Sequence, residues 1–183
     1  MAPRKIIIDT DPGQDDAFAI LFALGSPAEL EVIGITTVGG NVPLKLTSEN
    51  ALKVIELAGR PDVPVYAGCP GPIVKKLKTA EYVHGPTGMD GADLPTPTTP
   101  LQAEHGVNYL VRTLMDAPEG EITVCTLGPM TNLAMAMTME PRIIPRIREV
   151  VLMGGGFFEG GNATPAAEFN IFVDPHAAHI VFE

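Results

Sequence analysis

The sequence predicts an α/β fold, with a mostly parallel sheet and flanking helices, in a single domain spanning residues 1–183. Three observations predict it. Short apolar runs rich in β-branched residues alternate with stretches of helical periodicity. Strands that are separated by helices need crossover connections, which place neighbouring strands in parallel. The 183 residues, of which 45% are hydrophobic and 19% charged, are enough to bury a core.

The first half of the sequence contains three strand patterns separated by two helix patterns. Each strand is a short apolar run rich in valine or isoleucine, as expected of a buried strand. The first helix starts with two carboxylates, which the positive end of a helix favours, and it stops near Gly25 and Pro27. The second helix ends at a glycine. In order, the predicted elements are strand Lys5–Asp9, helix Asp15–Leu24, strand Leu30–Val38, helix Leu46–Gly59 and strand Val63–Gly68.

The segment 69–100 follows the third strand and has no sustained period. It is rich in glycine, proline and threonine, and a loop of this length inside a compact domain is usually functional or mobile. The predicted elements after it are a helix at about 104–116, strand Ile122–Leu127, a helix from about Thr131, strand Glu149–Gly156, a polar loop to Asn170 and a helix that opens at Asp174.

The composition argues against several classes of function. A formal net charge of −10 disfavours binding to nucleic acid or to an anionic membrane, because both attract clustered Lys and Arg. Two cysteines are too few for a disulfide scaffold or a zinc cluster. The start of the sequence lacks a signal-peptide pattern, and the apolar run Ala17–Leu24 is far shorter than the roughly 20 residues that span a bilayer. We therefore expect a cytoplasmic protein.

Polar clusters follow four of the predicted strands, at the point where each strand ends. Ligands of open parallel sheets bind at the carboxyl ends of the strands, so these clusters are expected to meet in one site. They are Asp9–Asp16 after the first strand, Asn41 after the second, Leu127–Asn132 after the strand at 122 and Gly154–Asn170 after the strand at 149.

Four aspartates lie within eight positions directly after the isoleucine run of the first strand. Two like charges about 4 Å apart repel by roughly 1 kcal/mol in water and roughly 4 kcal/mol near a protein surface. Helix capping accounts for Asp15 and Asp16 separately but not for the cluster, which a bound divalent cation explains. Oxygen-only ligands favour Ca²⁺ or Mg²⁺ over zinc. Asp9, at the end of the strand, is expected to hydrogen-bond loop amides instead of the metal.

A second enzyme class also begins with Asp-x-Asp after a buried strand. These are the haloacid-dehalogenase-type phosphatases, whose pattern has Thr or Val two positions after the second Asp. This sequence has Gly13 at that position, and the phosphatase pattern does not include the pair Asp15–Asp16. The match to that class is therefore weak.

The motif DTDPGQDDA at Asp9–Ala17 resembles the N-terminal signature of the inosine–uridine-preferring nucleoside hydrolases, which cleave the N-glycosidic bond of ribonucleosides. The resemblance covers essentially the whole chain, with the motifs in the right order. The further motifs are ITTVGGN (35–41), AGCPGPIV (67–74), HGPTGMDG (84–91), LGPMTNLAMA (127–136), EVVLMGGG (149–156) and GNATPAAEFNIFVDPHAA (161–178). The resemblance implies a Rossmann-like nucleoside hydrolase core.

The resemblance also implies a set of site residues. Asp11 would contact Ca²⁺ and act as the general base on a Ca²⁺-bound water, while Asp16 and the main-chain carbonyl of Leu127 would be further ligands. Asp15, next to the metal, would hold the hydroxyls of the ribose. The other implied substrate-binding residues are Asn41, His84, Met153, Asn162, Glu168 and Asn170, with Asn162 and Glu168 toward the 5′-hydroxyl and His84 in a loop that acts as a lid.

Members of the family continue well past the last helix of this sequence, so we expect a fold that is C-terminally incomplete, in a truncated or natural short form. In the family, the later part supplies another Ca²⁺-ligating Asp, a neighbouring His and aromatic groups around the base. Two hypotheses result: a ribonucleoside hydrolase of nucleotide salvage, or a non-catalytic fragment that binds Ca²⁺ or ribose. The incomplete rim would expose apolar surface, which favours association or instability. We expect a homo-oligomer, either a dimer or a tetramer. The sequence indicates no preference between purine and pyrimidine nucleosides.

Overall fold

A computed structural model describes residues 2–183 and shows one five-stranded sheet. All neighbouring strands are parallel, in the order β3-β2-β1-β4-β5, so the predicted α/β fold with a parallel sheet is confirmed. The strands are β1 Arg4–Thr10, β2 Leu30–Thr37, β3 Val65–Ala67, β4 Ile122–Thr126 and β5 Ile147–Leu152.

Seven helices connect or follow these strands in the described part of the chain. Five of them agree with the predicted helices to within about two residues at most ends. The helices are α1 Gln14–Leu24, α2 Leu44–Leu57, α3 Glu81–His84, α4 Gly106–Asp116, α5 Thr131–Met139, α6 Phe169–Val173 and α7 Pro175–Phe182, and a 3₁₀ helix spans Pro141–Arg146. No helix within residues 2–183 is long and apolar enough to cross a membrane.

Several predicted boundaries were wrong for local reasons. The strand predicted at Glu149–Gly156 starts two residues earlier and ends at Leu152, because the chain turns at its glycines and Gly155 has a φ of 81°. The polar loop predicted to reach Asn170 gives way to α6 at Phe169, where the Glu168 side chain accepts hydrogen bonds from main-chain N–H groups of the first turn. The short helix α3 and the 3₁₀ helix were not predicted.

The sheet buries both of its faces, which explains why its central strand is an unbroken apolar run. Ile6 and Ile8 of β1 point to one side and pack in a core with residues of α1 and α2. Ile7 points to the other side and packs with residues of α4 and α5. Alternate side chains of one strand therefore anchor the two helical layers.

The strand order places β1 where the chain reverses its direction of winding. From β1 the chain proceeds outward through β2 to β3, and it then returns to form β4 on the other side of β1. The connections that leave β1 and β4 therefore diverge and open a crevice at the carboxyl end of the sheet, which is where open α/β sheets bind their ligands.

Candidate active site

A cavity of about 170 Å³ lies at the carboxyl end of the sheet, in the crevice next to β1. The structure brings all ten sequence-predicted site residues to its walls. They are Asp11, Asp15, Asp16, Asn41, His84, Leu127, Met153, Asn162, Glu168 and Asn170. The convergence follows from the parallel sheet, because the segments after β1, β2, β4 and β5 all leave from the same edge.

Four further residues line the cavity and were not singled out from the sequence: Ala80, Tyr82, Val83 and Phe169. The first three belong to the segment 69–100, whose lack of periodicity gave no sign of which side chains face inward. Phe169 had a usable signal, because it lies between two predicted site residues, Glu168 and Asn170.

Asp11 is buried, and the main chain around it holds its carboxylate in one orientation. The main-chain N–H of Asn41 donates to Oδ2 of Asp11 at 2.7 Å, and Nδ2 of Asn41 donates to the Asp11 carbonyl at 3.0 Å. Glycines lie on both sides, and a Cβ atom at Gly40 or Gly128 would clash with the carboxylate. The two glycines therefore allow the backbone to approach Asp11 closely enough to orient it.

Asp16 is also buried and is fixed by the turn that joins β1 to α1. Its Oδ1 accepts a hydrogen bond from Oγ1 of Thr10 at 2.8 Å, and its Oδ2 accepts one from the main-chain N–H of Gly13 at 3.0 Å. Gly13 precedes the helix, so this contact caps the N-terminus of α1 with a carboxylate. Asp15, by contrast, is exposed at the rim of the cavity.

The two buried carboxylates make the cavity strongly electronegative. Burial raises the pKa of Asp11 well above its usual range, and the neighbouring charge of Asp16 raises it further. Burial likewise raises the pKa of Asp16 to about 6, although its hydrogen bond from Gly13 favours the charged form. No Lys or Arg within residues 2–183 forms an ion pair with either carboxylate. A bound cation would offset both the free-energy cost of burying these two charges and the repulsion between them.

The donor atoms in the cavity suit an oxygen-binding cation. Asp11, Asp16 and Leu127 line the same space, and the donors they could offer, two carboxylates and a main-chain carbonyl, are all oxygen, which favours Ca²⁺ or Mg²⁺. Within residues 2–183, however, no three His, Cys, Asp or Glu side chains come together in a group that could hold a metal ion. Since Ca²⁺ takes about 6–8 oxygen ligands, these residues fit as part of a coordination shell.

The segments after β4 and β5 are joined by two side chains near the start of α6. Nδ2 of Asn170 donates to the carbonyl of Leu127 at 2.8 Å and to that of Met153 at 3.0 Å. Oε2 of Glu168 accepts from the main-chain N–H groups of Asn170 at 2.9 Å and of Gly155 at 3.2 Å. These contacts hold one wall of the cavity, while Asn162 lies exposed at its rim.

Asp9 lies outside the cavity, and its predicted partners were wrong. Its Oδ1 accepts from Oγ1 of Thr36 at 2.6 Å and from Nδ2 of Asn132 at 2.7 Å, so its partners are side chains of β2 and α5 instead of loop amides. The reason is its place in β1, where it shares the face of Ile7 and points toward α4 and α5. Its Oδ2 is buried and has no hydrogen-bond partner in the described structure.

We expect the metal-free protein to lose stability as the pH rises from about 4 to about 6, with Asp9 as one cause. Burial raises the pKa of Asp9 from 3.8 to about 6, so the folded state binds this proton more tightly than the unfolded state. The associated stability is present below the unfolded pKa and is lost as the pH passes the folded one. Urea unfolding in EDTA at several pH values would measure this dependence.

The variant Asp9→Asn is the control for that measurement. It cannot titrate, so its free energy of unfolding should vary less across this pH window than that of the unmodified protein. An equal variation in both proteins would contradict the assignment to Asp9.

Comparison with known proteins identifies relatives over nearly the whole chain. The family described as inosine-uridine preferring nucleoside hydrolase matches residues 6–183. An inosine-uridine preferring nucleoside hydrolase of Leishmania major is 49% identical over 181 residues, which cover 98% of this chain and 57% of that protein. A pyrimidine-specific ribonucleoside hydrolase of Escherichia coli is also 49% identical, over 182 residues that cover 100% of this chain and 57% of that one.

Solved structures agree with these sequence matches. A purine-preferring ribonucleoside hydrolase from Gardnerella vaginalis superposes with a TM-score of 0.92 at 36% identity, covering 98% of this chain and 57% of that one. A plant nucleoside hydrolase superposes with a TM-score of 0.88 at 42% identity, with the same coverage of both chains. The chain thus spans 57% of the length of these relatives. It belongs to the inosine-uridine preferring nucleoside hydrolase family, as its motifs predicted.

Proposed function

We propose that this protein hydrolyses the N-glycosidic bond of ribonucleosides and releases ribose and a free nucleobase. The observation that carries this proposal is the cavity next to β1, where Asp11 and Asp16 lie buried without a cationic partner among the described side chains. Membership of the family supports the reaction class. In this reaction, Asp11, Asp15 and Asp16 are proposed to act on the ribose and on the attacking water.

Asp11 is the proposed general base, which takes a proton from the attacking water. Asn41 fixes the orientation of its carboxylate through the 2.7 Å hydrogen bond to Oδ2. A general base works best when its pKa lies near the working pH, and burial shifts the pKa of Asp11 in that direction. Ca²⁺, when bound by Asp11, Asp16 and the Leu127 carbonyl, would offset the repulsion and lower the pKa of water.

The remaining polar groups are proposed to hold the sugar. Cleavage of a glycosidic bond passes through an oxocarbenium-like state that is positively charged, and the buried carboxylates supply negative charge close to it. Asp15, exposed at the rim, would bind ribose hydroxyls, while Asn162 and Glu168 would bind the 5′-hydroxyl. Relatives named for inosine and uridine, for pyrimidines and for purines all match this chain, which supports a role in binding the ribose that their substrates share.

The direct test is incubation of the protein with inosine and with uridine, in Ca²⁺ and in EDTA, followed by measurement of reducing sugar. We expect ribose release that EDTA stops and that added Ca²⁺ restores, because the cation offsets the charge of Asp11 and Asp16. An absence of ribose release from both nucleosides in Ca²⁺ would contradict the proposed hydrolase activity.

Binding of Ca²⁺ or ribose without turnover is the second candidate function. It is favoured by the partial set of oxygen donors in the cavity, because Asp11, Asp16 and Leu127 supply only part of the about 6–8 ligands that Ca²⁺ takes and would hold an attacking water less firmly. Titration calorimetry with CaCl₂ and with ribose, run alongside the sugar assay, separates the two functions. Heat of binding without sugar release supports the second.

A further inference from the structure

Gln14 joins the acidic turn after β1 to the long segment 69–100. It is the first residue of α1 and immediately precedes Asp15 and Asp16. Its Oε1 lies 2.6 Å from Nδ1 of His84, and its Nε2 donates to the main-chain carbonyls of His84 and Asp90, each at 3.3 Å. One side chain thus makes three contacts with a segment 70 or more residues away.

These contacts determine which ring nitrogen of His84 carries the proton. The two carbonyls can only accept, so the amide nitrogen of Gln14 must face them and its oxygen must face the ring. That oxygen can only accept, so Nδ1 of His84 carries the hydrogen and donates it. In the neutral imidazole, Nε2 is then left as an acceptor, on the opposite side of a ring that lines the cavity.

A second set of contacts holds the same two parts of the chain together. Nδ2 of Asn50, a buried residue of α2, donates to the carbonyl of Pro12 at 3.1 Å and to that of Thr87 at 2.9 Å. The ring of His84 packs directly on Gly13, where a Cβ atom would lie 2.6 Å from Nδ1. The turn at 12–14 therefore supports the segment 84–90 as well as the carboxylates of the cavity.

We infer that Gln14 is a positioning residue of this site, one that holds His84 in the Nδ1–H tautomer and presents Nε2 to a hydroxyl or N–H group of the bound nucleoside. The inference rests on the proposed function for its ligand, a ribonucleoside. It differs from a purely structural role because the contact sets the protonation pattern of the ring as well as its place. Asn50 keeps the segment attached when Gln14 is changed, so a variant at Gln14 is expected to fold.

The test compares Gln14→Leu, which removes all three contacts, with Gln14→Glu, which keeps the acceptor for Nδ1–H. Gln102→Leu is the matched control, because Gln102 is exposed and its side chain makes no hydrogen bond within residues 2–183. Long-range ¹H–¹⁵N spectra distinguish the two ring nitrogens, and His84→Asn identifies the His84 signal among those of the four histidines. Amide exchange of residues 84–90 and the KM for inosine complete the measurements.

We expect Nδ1–H in the unmodified protein and in Gln14→Glu, and a mixture of tautomers in Gln14→Leu. Amide exchange at 84–90 should be faster in both variants, because neither can donate to the carbonyls of His84 and Asp90. The KM for inosine should rise about two- to tenfold in Gln14→Leu, which corresponds to the loss of one hydrogen bond to the substrate. The kcat should change less. If Gln14→Leu matches Gln102→Leu in tautomer, exchange and KM, the inference is overturned. If the unmodified protein releases no ribose, the proposed function fails, and the spectra, the exchange rates and calorimetry with inosine still decide the role of Gln14.

Discussion

Replacing Asp11 with asparagine is expected to lower the rate of ribose release by about 10²–10⁴-fold, the usual contribution of a general base. Asparagine has nearly the same shape, and its side-chain oxygen can still accept from the main-chain N–H of Asn41. It cannot accept a proton from water, and it brings no negative charge to a cation or to a developing oxocarbenium ion. The loss should therefore appear in kcat, and the affinity for Ca²⁺ should fall as well.

The control for this variant is Asp93→Asn, because Asp93 is an exposed aspartate of the segment 69–100. It should leave both ribose release and Ca²⁺ affinity unchanged. Thermal unfolding in EDTA separates catalysis from folding, since Asp11→Asn removes a buried charge without an ionic partner and should be at least as stable as the unmodified protein. Undiminished turnover in Asp11→Asn would disprove its role as the base.

The sheet could be predicted from the sequence because its signals are local. The apolar run of β1 fills both faces of a central strand. The ends of α1 are marked by carboxylates in its first turn and by the glycine that follows it, and these signals act on residues close in sequence. The segment 69–100 gave no such signal. Its short helix α3 contacts α1 through His84 and Gln14, which are 70 positions apart in the sequence.

The candidate site was predictable at the level of which segments meet, and the family resemblance named its residues. The layer of hydrogen bonds beneath it was not predictable. The bond between Asp9 and Asn132 joins residues 123 positions apart, and neither residue type indicates the other as its partner. The orientation of His84 likewise depends on Gln14, 70 positions earlier. Such contacts follow from the packed fold and not from any spacing in the sequence.

Asn132 is the centre of that buried layer. It is fully buried in the first turn of α5, and each of its side-chain polar atoms is used. Nδ2 donates to Oδ1 of Asp9 at 2.7 Å and to the carbonyl of Thr37 at 3.0 Å, while Oδ1 accepts from the main-chain N–H of Cys69 at 2.7 Å. One amide therefore joins the carboxyl ends of β1 and β2 to the segment after β3.

Replacing Asn132 with alanine is expected to lower the free energy of unfolding by about 3–4 kcal/mol, because it leaves a main-chain N–H group unpaired and opens a small cavity. The N–H of Cys69 would lose its acceptor, while Asp9 and the carbonyl of Thr37 would each keep one donor, Thr36 and Gly68. Urea unfolding would measure the change.

Asn108→Ala is the matched control for this prediction, because Asn108 is exposed on α4 and its side chain makes no hydrogen bond within the described residues. It should change the free energy of unfolding by no more than about 0.5 kcal/mol. Asp11 directly follows the end of β1, which Asn132 joins to β2, so Asn132→Ala should also weaken Ca²⁺ binding under conditions where the variant remains folded. Equal stability of the two variants would show that Asn132 does not hold the strand ends together.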